Sequence, residues 1–133
     1  MAFIEAEGLS KKYSDSVYAL NAVSFAVEKG EWLAVMGPSG SGKTTLLNIL
    51  GTLDTPSAGQ VRILGTDPFT LPERELALFR NRTVGFIFQM HYLLPQCSVL
   101  ENVLLPAVIR KPVALGTGAV GTGAPPEESY ARA

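Results

Sequence analysis

The stretch GPSGSGKTT, residues 37 to 45, lies between the apolar run WLAVM at 32–36 and the run LLNIL at 46–50. Gly37, Gly42, Lys43 and Thr44 satisfy the spacing G-x-x-x-x-G-K-[ST]. In such a loop the glycines let successive backbone N–H groups turn inward onto phosphate oxygens. The lysine reaches the outer phosphates, and the hydroxyl after it can ligate Mg²⁺. A merely flexible Gly/Ser loop has the same letters. The flanks argue against it: WLAVM is apolar on both faces, as a central strand between two layers is, and TTLLNILG has helix-compatible residues with Gly51 placed as a stop. Strand, loop, helix is the order that a phosphate-binding loop requires.

The rest of the chain supplies elements for an α/β domain. FIEAE (3–7) and VSFAV (23–27) alternate apolar and polar side chains, which predicts two half-buried strands that pair early, the second followed by a turn at EKGE. GQVRILG (59–65) reads as a strand bounded by glycines, and TVGFIF (83–88) as another short strand closed by Gln89. Two capping-box spacings, Thr70 with Glu73 and Ser98 with Glu101, predict helices. The first ends near Asn81, and the second is interrupted or kinked at Pro106. From Pro112 the texture changes to PVALGTGAVGTGAPP, a linker-like composition. Packing is therefore expected over 1–111, a Gly/Pro-rich linker or insertion over 112–126, and the start of a helical segment over 127–133.

Within that linker, Gly116, Gly118 and Gly121 formally match the dinucleotide fingerprint G-x-G-x-x-G. Gly123, Pro125 and Pro126 follow at once, where a helix would have to start, so the context refuses that reading. Charge excludes other classes. Eleven basic and twelve acidic residues nearly cancel, and no run of like charges suggests a nucleic-acid arm or a polybasic anchor. Cys97, the single cysteine, has no partner for a disulfide or a metal site, which fits a reducing compartment. The N-terminus lacks the pattern of a signal peptide, and the longest apolar run, VLLPAVI, carries a proline. Cytoplasmic placement is the expectation.

Read together, LSKKY, ALNAVSFAVEKGEWLAVMGPSGSGKTTLLNIL, LDTPSAGQVRILG and LFRNRTVGFIFQ resemble, in order, the N-terminal half of the ATP-binding subunit of ABC transporters. LGTLDTPSAG and FQMHYLLPQCSVLENVLLP resemble the branch that includes the lipoprotein-releasing (LolD-type) and macrolide-exporting (MacB-type) ATPases, the former more closely. The resemblance implies a P-loop NTPase core of α/β class with an N-terminal antiparallel β subdomain, incomplete over this length. It implies ATP and Mg²⁺ as ligands. Gly37, Pro38, Ser39, Gly40, Ser41, Gly42, Lys43, Thr44 and Thr45 would cradle the phosphates, and Tyr13 would stack on the adenine. Thr44 and Gln89 would attend the metal, with Gln89 and Lys43 the catalytic groups. It further implies a homodimer in the full-length form beneath FtsX-like permease subunits, at the inner face of the cell membrane. Met90, Tyr92, Leu93 and Leu94 are then either part of an apolar docking face or ordinary core, and His91, outside the family's switch-histidine position, is surface or partner-facing.

Three family elements have no counterpart in these 133 residues. There is no Leu-Ser-Gly-Gly-Gln signature, no acid closing an apolar strand as a Walker B motif does, and no late histidine. The expectation is thus a piece of a transport ATPase subunit, inactive in hydrolysis alone. The competing class is a nucleotide-binding module without catalysis. A small GTPase would need an Asn-Lys-x-Asp guanine reader, and Asn21, Asn48, Asn81 and Asn102 are each followed by something else.

Overall fold

The computed structural model describes residues 2–14, 17–90 and 92–110. The expectations for His91, for the end of packing near Lys111 and for the segments 112–126 and 127–133 fall outside the described residues. Three strands form one antiparallel sheet in the order β2-β1-β3: β1 (Ile4–Ser14), β2 (Val17–Val27) and β3 (Ala58–Ile63). Ile4 faces Val27 on one side and Ile63 on the other. The two early strands pair as their alternation predicts, and they run well past the residues that alternate.

Bulges explain why the alternation stops short. Between the pairs Ala6–Phe25 and Leu9–Val23, β1 advances three residues while β2 advances two, and β1 gains the same extra residue against β3. Gly8, at φ 57°, sits in this bulge, and its N–H is taken by Ser24 Oγ at 2.8 Å. Further along, between Leu9–Val23 and Lys11–Leu20, the extra residue lies in β2. Ala22 there has φ 50°, and its N–H donates to Ser10 Oγ at 2.9 Å. Each bulge shifts the inward phase by one, so Ala6 and Leu9 are both buried although they stand three apart.

The buried face of the sheet, Ala6, Leu9, Leu20, Val61 and Ile63, closes on Leu46 and Ile49 of α1 (Lys43–Leu50). Fully burying each of these larger aliphatic side chains contributes about 1.5–3 kcal/mol. Helix α1 ends in a Schellman arrangement: Leu53 N–H donates to Asn48 O at 2.8 Å and Thr52 N–H to Ile49 O at 2.9 Å. The left-handed residue is not Gly51, which has φ −77°, but Thr52, at φ 59° and buried. Arg80 of α2 (Glu73–Thr83) holds it, donating from Nε to Thr52 Oγ1 at 2.8 Å and from the guanidinium to Thr52 O at 2.5 Å. A Cβ at Gly51 would stand 2.4 Å from the tip of the partly exposed Phe86 ring, which would have to swing aside.

Four local expectations are corrected. WLAVM and TVGFIF are not strands: residues 31–37 and 84–88 carry no ladder bonds, and Trp32, Met36 and Ile87 are almost fully exposed. Neither segment has a neighbouring strand among the described residues, and without one an apolar run has nothing to pair with. Thr70 does not cap α2. It closes a short 3₁₀ turn, Pro68–Thr70, whose cap is Asp67, and α2 starts at Glu73 behind Pro72. Helix α3 (Val99–Arg110) begins at the expected Ser98–Glu101 box and runs on through Pro106 without interruption. Along it, Asn81 donates to the Pro106 carbonyl at 3.0 Å.

Candidate functional site

Residues 37–42 leave the extended segment and deliver the chain to α1 with Gly42 as N-cap, at φ 89° and with no side-chain cap. A left-handed cap suits glycine, and space demands it too: a Cβ on Gly42 would lie 2.2 Å from the Ala19 carbonyl of β2. The first helical bond runs from Leu46 N–H to Gly42 O at 2.9 Å, so the N–H groups of Lys43, Thr44 and Thr45 precede it and have no helical acceptor. No acidic side chain occupies the first turn. The positive end of the helix dipole and these donors open onto a cavity of about 230 Å³ lined by Ala19, Ser39, Gly40, Gly42, Lys43, Thr44 and Thr45.

Lys43 folds back over the loop. Its ammonium donates to the Pro38 carbonyl at 2.6 Å and the Gly37 carbonyl at 3.0 Å, with Ser41 Oγ at 3.4 Å. Pro38 O also accepts the Ser41 N–H at 3.3 Å, closing the turn. One cation, free N–H groups and the hydroxyls of Ser39, Ser41, Thr44 and Thr45 make a donor set suited to a polyanion. Thr44 and Gln89 offer the oxygen donors that Mg²⁺ takes. Both line a larger cleft of about 690 Å³, shared with Phe86, Phe88, Met90 and Tyr92, so the structure brings the expected pair to one cavity.

Tyr13 lies at the far end of β1, 59% exposed. Its hydroxyl is 3.4 Å from Thr45 Oγ1 in the first turn of α1 and donates to Asp54 Oδ2 at 3.0 Å. The other carboxylate oxygen of Asp54 accepts from Lys11 Nζ at 2.5 Å and from Thr55 N–H at 2.8 Å. Lys11 also donates to Thr55 O at 2.7 Å and stands 5.2 Å over the Tyr13 ring. The bond from Lys11 holds the Asp54 carboxyl below its usual value, against a partial burial that raises it; the Thr55 N–H and the Tyr13 hydroxyl add to the lowering. Sequence reasoning missed Lys11 and Asp54. They are 43 residues apart, and neither belongs to a spacing motif, so nothing local pairs them.

Beyond Gln89 the chain exposes Met90, Tyr92, Leu93 and Leu94, which removes the core reading for these four residues. Phe86 and Phe88 stack at 5.3 Å, and Tyr92 packs edge-on to Phe88 at 4.9 Å. Asn102 of α3 pins the segment: it accepts the Leu94 N–H at 2.8 Å and donates to the Leu94 and Cys97 carbonyls.

The family model described as ABC transporter matches residues 20–132. Over 103 residues the chain is 56% identical to the lipoprotein-releasing system ATP-binding protein LolD 1 of Rhodopirellula baltica, covering 75% of this chain and 45% of that protein. It is 49% identical to LolD of Bacteroides thetaiotaomicron, covering 80% and 48%. An uncharacterised ABC transporter ATP-binding protein of Bacillus subtilis, YvcR, is 47% identical over 84% of this chain and 45% of its own length. Among solved structures, the dimeric ATP-binding cassette MJ0796 bound to ADP and Pi in a post-hydrolysis state superposes with a TM-score of 0.76 at 36% identity, covering 95% of this chain and 51% of that one. The chain spans about half the length of the relatives that it matches.

Proposed function

This chain belongs to the ABC transporter family, and we propose that residues 37–45 hold the phosphates of ATP in the nucleotide-binding half of a transport ATPase subunit. The single observation that carries the proposal is the loop itself: an uncapped helix N-terminus, three N–H groups ahead of the first helical bond, and an ammonium parked within the same turn. Lys43 exchanges the Gly37 and Pro38 carbonyls for outer phosphate oxygens. The N–H groups of 43–45 take the inner ones, and the exposed Tyr13 ring offers a face to the adenine. The Thr44 hydroxyl and the Gln89 side chain are the groups that would hold Mg²⁺, which when bound offsets the charge of the phosphates. Gln89 lines the same cleft as Thr44, which supports a role for its amide in orienting an attacking water.

The family's fold requires a signature segment and Walker B acids for turnover, and neither occurs within these 133 residues. Within a complete subunit the function is ATP-driven transport, with lipoprotein release the closest analogy through the two LolD relatives. Such a subunit works as a dimer beneath FtsX-like permeases at the inner face of the membrane, and no nucleic acid is involved. The exposed side chains of Met90, Tyr92, Leu93 and Leu94, next to the stretch that Asn102 braces, face the permease. Among the described residues no helix is long and apolar enough to cross a membrane.

Titration of the 133-residue chain with fluorescently labelled ATP and Mg²⁺ tests the proposal. We expect saturable binding and a loss of about tenfold or more in Lys43→Ala, since a charge-assisted phosphate contact contributes about 1.5–3 kcal/mol. Binding that is absent, or indifferent to Lys43→Ala, refutes it.

A further inference from the structure

An exposed tyrosine at the end of a strand ordinarily samples several rotamers. Tyr13 does not need its hydroxyl bond for burial, because the ring stays 59% exposed while making it. The acceptor, Asp54, is itself fixed by two donors on its other oxygen, the Lys11 ammonium and the Thr55 N–H. The turn carrying Asp54 is strapped to β1 by two further bonds, Ser57 N–H to Ser10 O at 2.8 Å and Lys12 N–H to Ser57 Oγ at 3.0 Å. Through Thr45, the same hydroxyl is referred to the first turn of α1, where the phosphate donors begin. Lys11 stands over the ring at 5.2 Å. The result is a solvent-facing aromatic plane held at a set distance from a phosphate cradle.

We propose that Asp54 is a positioning residue that, through Lys11 and the Tyr13 hydroxyl, fixes the Tyr13 ring as a preformed platform for the nucleobase. The inference rests on the nucleotide-binding reading above and on Tyr13 as the stacking ring. Its physical content is entropic: a ring ordered before the ligand arrives does not have to be ordered by it. The effect therefore belongs to the base-dependent part of the affinity alone. Inorganic triphosphate, which lacks a base, should be blind to it.

The test measures Mg²⁺-dependent binding of ATP and of inorganic triphosphate to the full chain and to five variants, four single and one double. Tyr13→Ala weakens ATP by about fivefold to a hundredfold, the range for loss of one stacked base, and leaves triphosphate unchanged. Asp54→Ala weakens ATP by about two- to tenfold, the equivalent of ordering one side chain on binding, again without effect on triphosphate. Asp54→Asn, which keeps an acceptor for the hydroxyl, recovers part of the loss. Tyr13→Phe, an exposed change that leaves the fold alone, matches Asp54→Ala, and the double variant of these two loses no more than either. Unaltered ATP affinity in Asp54→Ala and Tyr13→Phe, alongside a loss in Tyr13→Ala, overturns the positioning role and leaves the stacking ring standing. Equal weakening of ATP and triphosphate in Asp54→Ala also overturns it, since the residue then acts through the loop's fold. No effect of Tyr13→Ala removes the platform itself, and binding of neither ligand by the unaltered chain removes the nucleotide reading beneath it.

Discussion

Gly42 carries two constraints at one position: a left-handed φ of 89° and a carbonyl of β2 only 2.2 Å from where a Cβ would be built. Strain at such a φ costs a non-glycine residue about 1–3 kcal/mol, before any clash is counted. Gly42→Ala should therefore lower stability by at least that amount in urea denaturation, and should displace the loop from β2. An unchanged midpoint would show that the approach of Ala19 is soft. The spacing of Gly42 in the motif was legible in the sequence, but the reason that β2 forbids a side chain there was not. Ala19 and Gly42 meet only once the sheet is assembled. Thr52 shows the reverse case. Sequence points to Gly51 as the helix stop, yet the left-handed conformation falls to a buried threonine, because Arg80 from another helix supplies two bonds that hold it there.

At the level of elements, the cap of α3 was read correctly because its parts are neighbours in sequence. Ser98 Oγ accepts from Glu101 N–H at 3.3 Å, while Glu101 Oε2 accepts from Ser98 N–H at 2.7 Å and from the hydroxyl at 2.8 Å. Ser98→Ala should cost about 1 kcal/mol of helix stability, read as faster amide exchange in the first turn of α3. The Ser98 N–H, with help from its hydroxyl, holds the Glu101 carboxyl below the ordinary glutamate value of 4.5. A depressed carboxyl stabilises the folded state above the unfolded value, and that stabilisation is lost as pH falls through the lower folded one. Exchange protection at this cap should accordingly be full at neutral pH and decline below pH 4.5. A pH-independent cap would mean that Glu101 does not close the box. Strand lengths were harder to read. FIEAE and VSFAV announced only the ends of β1 and β2, since the paired bulges near Gly8 and Ala22 break the two-residue rhythm in the middle.

At the scale of the whole molecule, burial among the described residues is asymmetric. One antiparallel sheet and α1 enclose a small core, while the segments around Trp32 and Ile87 lie open. The apolar runs WLAVM and TVGFIF predicted strands, and the structure leaves both segments unpaired with Trp32, Met36 and Ile87 exposed. They could not tell which neighbours the described residues provide, because pairing is a property of a sheet and not of a strand. Trp32 is the single tryptophan and is 97% exposed, so emission from the chain should be red-shifted and readily quenched by acrylamide. Blue-shifted, protected emission would place Trp32 inside a sheet after all.

The ammonium of Lys43 folds back onto its own loop. Gly37 and Pro38 already solvate it, so a passing anion meets no bare cation. A guest that gains entry must replace two carbonyls at once, which a chain of linked phosphates does readily and a lone monovalent ion does not. On the nucleotide-binding reading proposed above, the loop would thereby favour a polyvalent guest before any base is read.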